Sequence, residues 1–182
     1  MKSLFCLFGF MIIFLSQSFG QKIIIDGDNS ILLLPDITKQ ALYAYEPDFK
    51  FYKMKDYEEI ISSTYQINEN QLPWAIIGDF NGDEINDLLI DGHNNKLELL
   101  IVMLSESESF YVHEINNSQY YDPKLELKWS SYSYIPKGTI LRSDYEDNTI
   151  ELKSDAFKWD SEKGTSVYYF KDGEFLIYVT SD

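Results

Sequence analysis

Trp74-Ala75-Ile76-Ile77-Gly78-Asp79-Phe80-Asn81-Gly82-Asp83-Glu84-Ile85-Asn86-Asp87-Leu88-Leu89-Ile90 is the stretch that decides how this chain is read. Two apolar runs, Trp74–Ile77 and Leu88–Ile90, flank a segment whose oxygen-bearing side chains recur at alternate positions. The flanks read as strands, because β-branched and aromatic residues suit a pleated, partly buried surface. Asn81-Gly82 between them is a turn signal.

The same texture continues downstream. Leu97–Leu104 and Phe110–Ile115 are β-prone, and the turn signals Asp91-Gly92, Asn94-Asn95 and Ser105–Ser109 separate the runs. Further strands are expected at Leu125–Trp129, Thr139–Arg142, Thr149–Lys153, Val167–Phe170 and Phe175–Val179. Asp172-Gly173 marks a hairpin between the last two. Upstream, Lys22–Ile25 and Ile31–Leu34 bracket Asp26-Gly27-Asp28-Asn29 as strand, turn and strand. Asp36 begins a helix to Tyr45 that Pro47 stops. Asp56 and Glu59 have capping-box spacing, and Tyr57, Ile60, Ile61 and Tyr65 fall at helical intervals, which predicts a second helix near 56–65. The expected class is α+β, with two short N-terminal helices packed with a mainly antiparallel β-sheet meander.

The first twenty residues read as a secretory signal. Lys2 is followed by an apolar run from Leu4 to Leu15, and Ser18 and Gly20 fit a cleavage site ahead of Gln21. The run is shorter than the roughly 20 residues that a membrane span needs, so no stable anchor is expected after cleavage. The expectation is a secreted or periplasmic protein with a single β-rich domain over 21–182. Cys6, the one cysteine, leaves with the signal, and thiol chemistry leaves with it.

Asp and Glu number 30 against 15 Lys and Arg, a net charge of −15. No nucleic-acid ligand is expected for such a chain, since phosphate contacts need clustered cations. The charge instead suits cations or a basic protein partner.

Asp79, Asn81, Asp83, Ile85 and Asp87 occupy positions 1, 3, 5, 7 and 9 of the loop. Calcium is a hard cation that takes six to eight oxygens. Asp79, Asn81, Asp83 and Asp87 would offer side chains and Ile85 its backbone carbonyl, with water completing the shell. A turn of Asp, Asn and Gly that binds nothing is the plain alternative. The loop is not an EF-hand, which needs Gly at position 6 and Glu at position 12; Glu84 and Ile90 stand there. The run from Ile76 to Ile90 resembles the calcium loop of the FG-GAP and VCBS repeat families, a strand–loop–strand unit. The resemblance spans Leu72 to Met103 and implies a fold element and an ion, but names no task. It departs at Glu84, where those families carry a Gly that eases a left-handed turn.

Other features are weaker. Asp91 and His93 could add a ligand or begin a zinc site, but zinc needs three or four convergent donors. Asp26 and Asp28 fit a turn. Trp74, Trp129 and Trp159, with Tyr132-Ser133-Tyr134, form either a binding platform or ordinary sheet packing. Asn116-Asn117-Ser118 is a glycosylation sequon. No nucleophile elbow and no phosphate loop are present. The leading reading is therefore a secreted non-enzymatic module with a structural calcium-binding loop. An acidic inhibitor or immunity-type protein masking a basic partner is the alternative. A hydrolase using a cleft carboxylate or a histidine, His93 or His113, is the third reading.

Overall fold

A computed structural model describes residues 20–27, 29–106, 109–116, 127–144, 149–161 and 164–181. Most of the expected signal, residues 1–19, lies outside the described residues, as do Asn117 and Ser118 of the sequon.

The described residues begin with a hairpin, β1 (Lys22–Ile24) and β2 (Ile31–Leu33), followed by helix α1 (Asp36–Tyr45). Strand β3 (Lys50–Phe51), a 3-10 turn (Met54–Asp56) and helix α2 (Glu59–Thr64) come next. Then β4 (Gln71–Leu72), β5 (Ala75–Gly78), β6 (Asp87–His93), β7 (Glu98–Glu106) and β8 (Ser109–Asn116) form one antiparallel sheet in sequence order, with β3 paired to β6. A second sheet has the order β14-β13-β12-β9, from β9 (Ser131–Ile135), β12 (Ala156–Ser161), β13 (Gly164–Lys171) and β14 (Glu174–Ser181). β10 (Ile140–Arg142) and β11 (Thr149–Glu151) make a separate hairpin.

This is a β-sandwich-like fold, and the α+β expectation is corrected. Strands make up 52% of the described residues and helix 15%, so helices cannot supply a layer. Nor do the helices begin the chain, because the β1–β2 hairpin precedes them. The physical reason lies in β6 and β7, which are apolar on both faces. Leu88, Ile90, Ile101 and Met103 point to one side, and Leu89, Leu100, Val102 and Leu104 to the other; all are buried. A sheet with two apolar faces needs two covers. On the first side lie the N-terminal hairpin, Leu42 of α1, Tyr52, Tyr57 and Trp74. On the second lies the other sheet, through Tyr132 and Phe157, with Tyr168 and Phe175 packed against them. That second sheet is itself covered by Leu141 and Leu152 of the β10–β11 region, against Ala156, Val167 and Tyr178. Helix α2 buries none of its residues, although its periodicity looked amphipathic.

Asp56 does not cap that helix. Its carboxylate accepts the Lys53 N–H at 2.8 Å and closes the 3-10 turn. Of the strand expected at Leu125–Trp129, residues 125–126 lie outside the described residues and Leu127–Trp129 belongs to no strand, while β9 and β12 arise where no strand was expected. Trp74 is buried and Trp159 half-buried, as sheet packing requires; Trp129 is exposed.

Candidate functional site

The loop joining β5 to β6 is built by two aspartates with different tasks. Asp87 opens β6 and is fully buried. Its Oδ2 accepts the N–H groups of Phe80 at 2.8 Å and Asn81 at 3.3 Å, and its Oδ1 accepts that of Ser105 at 2.7 Å. Both oxygens therefore face inward, and the carboxylate fastens the loop's entry to β7. Asp79, half-buried, fastens the tip. Its Oδ1 accepts N–H groups from Gly82 at 2.7 Å and Asp83 at 3.0 Å, and its Oδ2 accepts that of Glu84 at 3.0 Å. Asn81 Oδ1 accepts the Asp83 N–H at 3.0 Å, Asp83 Oδ1 accepts the Ile85 N–H at 2.8 Å, and Asn81 Nδ2 donates to Asp83 Oδ2 at 3.0 Å. These are successive side-chain-to-backbone turns of the kind Asp and Asn favour.

Glu84 has φ 69°. The backbone makes the left-handed turn there without glycine, at a residue class for which that conformation is uncommon. Gly82, at φ 83°, makes the other.

The loop also leans on the residue that leads into β12 of the second sheet. Asp155 Oδ2 accepts the Asp79 N–H, and Asp79's carbonyl accepts the Asp155 N–H, both at 2.9 Å. Asp155 Oδ1 accepts the Lys137 N–H at 2.9 Å. Neither Asp155 nor Ser105 was legible as a partner, since 76 residues separate Asp79 from Asp155 and no motif links them.

Of the five expected ligands, the structure gathers Asp79, Asn81 and Asp83 at the loop tip. It leaves Ile85 half-buried and turns Asp87 away into the core. Among the described residues, no group of three or more His, Cys, Asp or Glu side chains is arranged to hold a metal ion.

A second polar cluster lies inside the molecule. Asp91 is buried in β6, and Lys128 Nζ sits 2.6 Å from its Oδ2, 3.9 Å from Glu98 Oε2 and 4.1 Å from the Tyr52 ring centroid. The Tyr52 hydroxyl donates to Glu98 Oε1 at 3.3 Å. Lys128 is clamped through its backbone: its N–H reaches the Asp56 carbonyl at 2.9 Å, and its carbonyl accepts the Glu58 N–H at 3.1 Å. Burial pushes the Asp91 carboxyl up, against the pull of Lys128. Among the described residues, the buried Tyr57 hydroxyl finds no hydrogen-bond partner.

Asp91 and His93 lie within β6 rather than in a turn. His93 packs against the Tyr52 ring at 5.3 Å and accepts the Asn95 N–H through Nδ1 at 3.2 Å. His113 packs among Tyr111, Phe170 and Phe175. Burial holds both imidazoles below their usual range. A cleft of about 390 Å³ is lined by Ile31, Phe51, Tyr52, Met54 and Trp74 among others, and neither histidine lines it. Among the described residues no helix is long and apolar enough to cross a membrane. The chain matches no protein-family model, no curated protein and no solved structure.

Proposed function

We propose that this chain is an exported, non-enzymatic β-sandwich module in which the Asp79–Asp87 loop takes calcium as a structural ion. The observation behind this reading is the loop tip. Glu84 holds the left-handed turn while Asp79, Asn81 and Asp83 lie side by side on one short stretch of backbone. Each carboxylate oxygen has more than one lone-pair direction, so Asp79 and Asp83 keep acceptor capacity beyond their N–H donors. In this reading Asp79, Asn81 and Asp83 supply side-chain oxygens and Ile85 its carbonyl. Asp87 stays with its three donors and holds the loop's shape. The ion would supply charge compensation at the tip and nothing reactive.

Binding to the folded state alone stabilises it by mass action. With calcium about a hundredfold above its dissociation constant, the gain is roughly 2.7 kcal/mol. Paired melting curves in calcium and in chelator measure it. Asp79→Ala and Asp83→Ala should each remove the gain, and equal melting temperatures in the two buffers would reduce the loop to an ordinary turn. Export rests on Lys2 and the Leu4–Leu15 run, and predicts Gln21 as the first residue of the exported product by N-terminal sequencing. Recovery of intact Met1 outside the membrane fraction would contradict it.

A further inference from the structure

We propose that Lys128 and Asp91 condense into an intramolecular amide bond, with Glu98 as the proton carrier. This rests on the interior cluster and is independent of the calcium reading. The reacting groups are already in contact: Nζ lies 2.6 Å from Asp91 Oδ2, with side-chain exposures of 11% and 3%. Neither can drift away. Asp91 is fixed inside β6, paired with Leu100 of β7, and Lys128 is clamped from both sides of its backbone by Asp56 and Glu58. Holding two reactants in this way replaces a bimolecular encounter with an intramolecular one, worth effective concentrations on the order of 10⁵–10⁸ M.

The surroundings favour the reactive forms. Two charges stripped of water lose much of what holds them ionic, and burial is the largest influence on the Asp91 carboxyl, pushing it toward the protonated state. Proton transfer within the pair yields a neutral amine and a neutral acid, which are nucleophile and electrophile. Tyr52 caps the amine with its ring face.

The amine lone pair attacks Asp91 Cγ and forms a C–N bond. The proton released from nitrogen passes to Glu98, whose Oε2 is 3.9 Å from Nζ and whose Oε1 is held by the Tyr52 hydroxyl. Glu98 returns that proton to the departing Asp91 oxygen, the C–O bond breaks, and one water leaves. No oxidant, reductant or cofactor is needed. The product is a neutral amide joining β6 to the chain that enters β9, and it removes a buried ion pair.

Mass spectrometry of the intact, denatured protein tests this. The expected mass is one water below that calculated for the sequence from the N-terminus that sequencing establishes, Gln21 in the exported product, and a protease digest should contain a branched peptide joining Lys128 to Asp91. Asp91-Gly92 could also lose water by closing a succinimide ring. Lys128→Arg separates the two, because the amide's deficit vanishes and a succinimide's persists. Glu98→Gln, checked for folding by circular dichroism, should keep the full mass or lose water far more slowly. A folded, unaltered chain at full mass, or a deficit that survives Lys128→Arg, would overturn the proposal. Should Lys128→Arg fail to fold, the presence or absence of the branched peptide in the unaltered chain decides.

Discussion

Asp87→Ala should destabilise the fold by about 3–5 kcal/mol, a large share of a typical domain's stability. The substitution strands three backbone N–H groups, on Phe80, Asn81 and Ser105, which have the Asp87 carboxylate as their acceptor. Two of those bonds are fully buried, so water cannot replace the lost oxygens. Asp79→Ala in chelator should cost less, roughly 1–2 kcal/mol, because its N–H partners at the tip are exposed. Chemical denaturation of both variants in chelator measures the difference, and an Asp79 variant weaker than the Asp87 variant would refute this division of labour. The same residue sets a pH dependence. Burial raises the Asp87 carboxyl from 3.8 to about 7, against the opposing N–H donors. The folded state then binds a proton that the unfolded state has released. The contribution is therefore stabilising at acidic pH and declines as pH rises from near 3.8 through about 7. Asp87→Asn should flatten that part of the stability curve.

Gly92→Ala should be comparably damaging, on the order of 3 kcal/mol. A Cβ at Gly92 would lie 2.3 Å from the Lys50 carbonyl oxygen and 2.5 Å from Phe49 Cζ. Those atoms cannot step aside cheaply. Phe49 is core, and Lys50 and Phe51 pair with His93 and Gly92. The strand β3 must detach or β6 must bend. Hydrogen exchange should show amides near Lys50 losing protection while the second sheet keeps its own. A melting temperature within a degree or so of the unaltered protein would show that β3 contributes little.

Local chemistry carried much of the architecture into the sequence. The helix from Asp36 to Tyr45 ends where expected, and the Asp172-Gly173 turn joins β13 to β14 as its φ > 0 residues require. The strand–loop–strand character of Trp74–Ile90 was equally plain, because apolar β-formers and turn residues act within a few positions of each other.

Tertiary structure alone decided the rest. Asp91-Gly92 has turn chemistry, yet it sits inside β6, because Gly92 is needed where β3 crosses closely rather than where the chain reverses. Asp87 has ligand spacing, yet burial and three N–H donors from two separate segments make it a fastener. The class itself turned on β6 and β7 being apolar on both faces, a pattern that calls for two covers without saying which elements supply them. A second sheet does so on one side, through β9 and β12; their alternation, Tyr132 and Tyr134 between serines and Phe157 and Trp159 around Lys158 and Asp160, marks an inward face without saying which sheet it covers. Lys128, Asp91 and Glu98 are ordinary surface residue types in the sequence. Only the fold brings them together and takes Asp91 and Lys128 out of water.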